Sequence, residues 1–129
     1  MREDKLRQVI GVLKEVPPES FEMNYWWTQS DCGTVGCAIG WVIQELGPDF
    51  GLYLNRNRFG TLCVENRLGD QNYEAISEVL DIDPNEAMWL FSPFGYEELD
   101  EPIAASRVIA RIEQFLQGER PKRDYTYVV

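Results

Sequence analysis

The chain of 129 residues contains no histidine. That absence removes serine–histidine and cysteine–histidine nucleophile pairs, the commonest general base, and every metal site built on imidazole. Cysteine is scarce as well. Cys32, Cys37 and Cys63 are an odd number, and too few for the disulfide framework of a small secreted scaffold. No run approaches the ~20 apolar residues of a membrane span, and the longest, residues 37–43, includes a glycine. The opening MREDKLRQVI is charged and lacks the apolar segment of a secretory signal, so a cytoplasmic protein with reduced thiols is expected. No phosphate-cradling loop is present, since Gly33, Gly36 and Gly40 are neither followed by Lys-Ser/Thr nor preceded by a strand-like apolar run. No catalytic residue, metal site or cofactor is therefore indicated. An enzyme made from this chain would have to run on carboxylates, a lone cysteine, tyrosine or lysine.

Acidic charge without any positive charge is concentrated in one long stretch. Residues 68–106 hold no Lys or Arg but ten acids: Asp70, Glu74, Glu78, Asp81, Asp83, Glu86, Glu97, Glu98, Asp100 and Glu101. Acids and bases balance elsewhere, so this stretch supplies the whole net charge of −10. An excess of this kind concerns partners and solubility, not fold. It argues against nucleic-acid phosphate or an anionic membrane as partner, because phosphate contacts need Lys or Arg. A hydrophobic content of 44% and an aromatic content of 12% are globular values, so the acidity does not signal disorder.

Apolar spacing gives the layout. Leu6, Val9, Ile10 and Leu13 predict a helix over 2–15, stopped by Pro17-Pro18. In FEMNYWW, Phe21, Met23, Tyr25 and Trp27 alternate, but Trp26 breaks the period, so an extended segment laid on the core is expected, not a sheet strand. Residues 35–46 read as a buried helix, capped by Asp31 or Thr34 and ended by Gly47-Pro48, with Gly36 and Gly40 forming a stripe for close packing by another backbone, or by Trp26 or Trp27. Residues 52–65 read as a β-hairpin turning through Asn55-Arg56-Asn57-Arg58 and Gly60. Three helices follow: 71–80; 84–91, opened by Asp83-Pro84-Asn85-Glu86; and 102–117, opened by Pro102. The reading is an α-dominated α+β chain, one domain over 1–129 of about five helices and a small hairpin, with 118–129 as a tail or edge strand.

The run Cys32-Gly33-Thr34-Val35-Gly36-Cys37-Ala38-Ile39-Gly40-Trp41 resembles a C-G-T-x-x-C-x-x-G-W motif of small uncharacterised proteins from bacteria and bacteriophages. Phe21-Glu22-Met23 with Trp26-Trp27 is similar to the aromatic segment ahead of that motif in the group. Residues 80–87 with Leu90-Phe91, and the helix at 108–116, resemble its later helices, so the likeness covers 21–46 and 80–116. Only the first motif is specific, and Gly36 departs from it, since Ala or another small residue is commoner there. The resemblance implies a fold and a phage-related genome, and supplies no activity.

Four functional readings compete with plainer ones. A thiol at Cys32, placed at a helix start, would be activated, whereas Cys37 and Cys63 serve as small core hydrophobes. The spacing C-x4-C, with the third cysteine distant, is unlike a zinc site. Glu97-Glu98 and Asp100-Glu101 offer a carboxylate pair, yet read equally as solvated charge. Asp70, Glu74, Glu78 and Asp81 form a stripe that would suit a basic partner. The sequence favours a small acidic accessory protein that binds another protein, with Glu97, Glu98, Asp100, Glu101, Trp89, Phe94 and Tyr96 as the contact set; a homodimer is a second use for such aromatics. The alternative is a small-ligand or anion-binding protein, or a histidine-free enzyme, with a pocket between the 35–46 helix and the hairpin where Arg56 and Arg58 hold an anion.

Overall fold

In the computed structural model, which describes residues 1–30, 33–96 and 102–127, the first apolar stripe forms helix α1 (Glu3–Leu13) and is buried along its length. The following segment lies extended on the core, with Phe21 and Met23 buried and Tyr25 exposed. It then becomes a true strand, which the broken alternation concealed. β1 (Trp27–Ser30) pairs antiparallel with β2 (Gly33–Gly36), Trp27 opposite Gly36.

The 35–46 helix is thereby shortened. Val35 and Gly36 belong to β2, and α2 spans Ala38–Leu46 with Cys37 at its N-cap and no side-chain cap. Thr34 pairs in the sheet and does not cap; Asp31 and Cys32 lie outside the described residues. The close packing inferred from the glycines holds despite that change. A Cβ on Gly40 would overlap the Trp26 carbonyl oxygen, and one on Gly36 would stand 2.9 Å from the same atom. The backbone of the aromatic segment thus sits directly on α2, clamped by the Cys37 N–H donating to Tyr25 O at 2.9 Å. Trp27 and Trp41 meet edge to face, 4.8 Å between centroids, and the Trp41 indole donates to Ser20 O at 2.9 Å.

β3 (Leu52–Arg56) and β4 (Leu62–Asn66) make the expected hairpin. α3 (Asn72–Leu80) packs on β4, and α4 (Pro84–Phe91) packs on α3. The capping box at α4 is complete. Asp83 accepts from the Glu86 N–H at 2.8 Å, and Glu86 accepts from the Asp83 N–H at 3.0 Å. α5 (Ala105–Leu116) starts three residues after Pro102 and lies against α1 and α4. Over its described residues, up to 127, the tail is docked and forms no strand. Asn85 accepts from the Tyr125 N–H at 2.6 Å and donates to Arg123 O at 2.9 Å, and Tyr125 is buried. Among the described residues, five helices and two two-stranded antiparallel sheets make one α+β domain around a single core. No helix of the described residues is long and apolar enough to cross a membrane.

Candidate functional site

α4 is apolar on nearly every side, and its covers define the site. Ala87, Trp89, Leu90 and Phe91 are buried in the protein's own core. Met88 is only half-buried and lines a cleft of about 500 Å³ together with Met23, Trp26, Tyr73 and Phe94. Trp26 and Tyr73 meet at 5.5 Å between centroids, tilted by 49°, so two rings and two thioethers face one space. Methionine and aromatic side chains together make an adaptable apolar surface. Phe94 is 42% exposed at this cleft, held in a short helical turn (Pro93–Tyr96) whose start is fixed by Ser92 accepting from the Phe94 N–H at 3.1 Å. Burial pushes the Tyr73 phenol up to about 12, so it is neutral at ordinary pH.

Asn72 shapes the same cleft. It opens α3 with φ of 56°, a left-handed conformation that asparagine tolerates better than most residues, and its Oδ1 accepts from the Val64 N–H at 3.1 Å. The next residues on α3 that face water are Glu74 and Glu78. Of the expected acidic stripe, then, these two lie on the helix, Asp81 sits at its left-handed C-cap, and Asp70 precedes it, accepting from Asn66 at 3.0 Å.

The other expected contact residues divide. Trp89 is 8% exposed and Tyr96 1% exposed; the Tyr96 hydroxyl donates to Leu90 O at 2.8 Å. Both rings face inward against Arg111, whose guanidinium carbon stands 4.6 Å and 4.2 Å from their centroids. Of the three aromatic candidates, only Phe94 faces water. Glu97, Glu98, Asp100 and Glu101 lie outside the described residues. At the hairpin, Arg56 donates to Gly60 O at 2.8 Å and Arg58 stacks on Phe59 at 4.8 Å, both contacts within the turn itself.

A second cavity was not foreseen. Where α4 meets α5 and the tail, about 720 Å³ is lined by Trp89, Tyr125, Gln114, Glu119 and five cations, Arg107, Arg111, Arg120, Lys122 and Arg123. Arg111 is 3% exposed and donates to Trp89 O and Gly95 O, each at 2.9 Å. Part of the signal was present in the sequence, since Arg107 and Arg111 stand one helical turn apart on α5. Their convergence with Arg120, Lys122 and Arg123 depends on the tail folding back, which nothing in ERPKRDYTYVV announces. Comparison with protein-family models, curated proteins and solved structures finds no match to this chain.

Proposed function

We propose that the chain is a small acidic accessory protein, cytoplasmic and phage-related, that acts by binding another protein. The observation that carries this reading is Phe94, a large apolar ring exposed beside the Trp26–Tyr73 cleft, inside the stretch 68–106 that holds ten acids and no Lys or Arg. Aromatic anchors in a partly formed pocket supply affinity, and a surrounding field of one sign supplies rate and selectivity. The partner that fits is a basic segment presenting one aromatic or long aliphatic side chain, flanked by Lys or Arg. Exposed Glu74 follows Tyr73 directly, and the acids from Glu97 to Glu101 follow Tyr96 in the chain, so both sequence flanks of the cleft are anionic. The C-G-T-x-x-C-x-x-G-W resemblance supports the phage-related setting.

Selection from a displayed random-peptide library tests this. Enriched peptides should carry an apolar anchor beside Lys or Arg, bind more weakly as salt rises, and lose binding to Phe94→Ser. Failure to enrich such peptides, or binding indifferent to Phe94→Ser, would contradict it. Sedimentation of the protein alone addresses the homodimer: a doubled mass abolished by Phe94→Ser would mean that a second copy fills the cleft.

A further inference from the structure

We infer that the Phe94 cleft takes the β3–β4 hairpin tip of a second copy of this chain, with Phe59 as the anchor and Arg56 and Arg58 as its charged flanks. The inference rests on the reading of that cleft as a protein-binding site and names its occupant. Phe59 is 77% exposed, more than any other large apolar residue among those described. Apolar area left in water carries a standing drive towards burial. The turn that holds it is well ordered. Asn57 Oδ1 accepts from the Phe59 N–H at 2.9 Å and from the Thr61 N–H at 3.0 Å. The Asn57 N–H donates to Thr61 O, and the Gly60 N–H to Asn57 O, each at 2.9 Å. Gly60, with φ of 79°, supplies the left-handed residue that closes the loop, and Arg56 donates to its carbonyl at 2.8 Å. A ring presented on a preordered loop loses little freedom on docking, which favours binding.

Charge completes the match. Residues 50–64 hold Arg56 and Arg58 and no acid, and the Arg58 guanidinium travels with the ring, 4.8 Å from its centroid. The cleft has the opposite character. Asn24, which lines it, donates to Glu22 at 2.7 Å, and exposed Glu74 follows Tyr73. An aromatic ring between two guanidiniums is the chemistry such a cleft selects, and the chain carries that segment itself. Leu68, 75% exposed, is a poorer match, with one cation beside it, Arg67, and Asp70 two residues on. Phe59 does not line the cleft of its own copy, so tip and cleft belong to different places on the surface. The contact is therefore heterologous: it closes into a ring where the rotation returns on itself and extends as an open chain where it does not. A hairpin tip buries little area, so the association is expected to be weak and salt-sensitive.

Sedimentation equilibrium of the full chain tests this, at protein concentrations up to about 1 mM and at low and raised sodium chloride. The wild-type mass should rise above that of the monomer with concentration and fall back as salt rises. Phe59→Ser alone and Phe94→Ser alone should each stay monomeric, with melting temperatures unchanged because both rings are exposed. Mixed in equal amounts, the two variants should form a dimer of one copy each, since the first keeps its cleft and the second keeps its tip. A dimer in which like surfaces meet would show no such rescue. Arg58→Gln should weaken wild-type association about two- to fivefold at low salt, and Arg58→Lys should restore most of it. A wild-type chain that stays monomeric throughout, a Phe59→Ser chain that assembles like wild type, or a mixture that stays monomeric overturns the proposal. The cleft itself is judged apart from this, by the selected peptides: a monomeric wild type that still binds them, with that binding lost in Phe94→Ser, removes the self-docking and leaves the protein-binding reading standing.

Discussion

Single residues decide how tightly this fold closes. Gly40 is the sharpest case, because the Trp26 carbonyl occupies the place of its missing side chain. Gly40→Leu should therefore lower stability by at least the ~1–3 kcal/mol typical of overpacking, and thermal melting reads it directly. Arg111 is the second case. Removing its guanidinium leaves the Trp89 and Gly95 carbonyls without their buried donor, and an unmet buried polar group costs about 1–3 kcal/mol. Arg111→Met should lower the denaturant midpoint accordingly, and Arg111→Lys should not restore it, lacking the planar fork.

Two buried acids, Cys37 and Tyr96, and the half-buried Tyr73 set an alkaline limit on stability. Burial pushes the Cys37 thiol from 9.0 up to about 11 and the Tyr73 phenol from 10.0 up to about 12, and raises Tyr96 as well. Each folded pKa lies above its unfolded value, so above about pH 9 the unfolded chain holds fewer protons than the native one. The stabilisation is complete below 9 and is lost as pH rises through about 11 to 12. Urea midpoints should thus hold constant between neutral pH and about pH 8.5 and fall beyond it. Cys37→Ala should remove the earliest part of that fall, whatever it costs in packing.

At the scale of elements, helices with one clean apolar face were legible to within a few residues. α1 and α3 follow from spacing, whereas Asp83-Pro84-Asn85-Glu86 named the start of α4, which has no single apolar face, because capping is a local, four-residue device. α5 lost its expected first turn, since Pro102 lies three residues ahead of the helix. The β1–β2 pair was not legible. Its strands are four residues each, Trp26 spoils the alternation, and Val35-Gly36 in an apolar run reads as the beginning of a helix. The glycine contact was still inferred correctly, because small residues beside tryptophans signal close approach in strand and helix alike. Trp89 and Tyr96 illustrate the opposite failure. Aromatic composition does not say whether a ring faces a partner or its own core, and here Arg111 draws both inward.

Over the whole molecule, α4 contributes to two spaces of different character. Met88 lines an aromatic and methionine cleft whose sequence flanks are anionic, and Trp89 lines a mainly basic cavity that also carries Glu119. The acidic stretch was plain in the sequence, whereas the basic cavity was hidden by its origin in two separate segments. Phe94→Ser should leave the melting temperature unchanged, since that ring is exposed, while abolishing recognition of a basic aromatic peptide, as peptide titration by fluorescence anisotropy would report.

The four tryptophans stand at different places relative to these two spaces, and their indole N–H signals allow the most direct measurement. Trp26 lines the cleft, Trp27 and Trp41 pack on each other, and Trp89 lies under Arg111 in the basic cavity. The measurement is a proton–nitrogen correlation spectrum recorded while a peptide with one aromatic anchor between lysines is added. Saturable movement of the Trp26 indole signal, with Trp41 and Trp89 stationary, is the result predicted by binding at the Phe94 cleft. A stationary Trp26 signal at saturating peptide, or movement confined to Trp89, would contradict it.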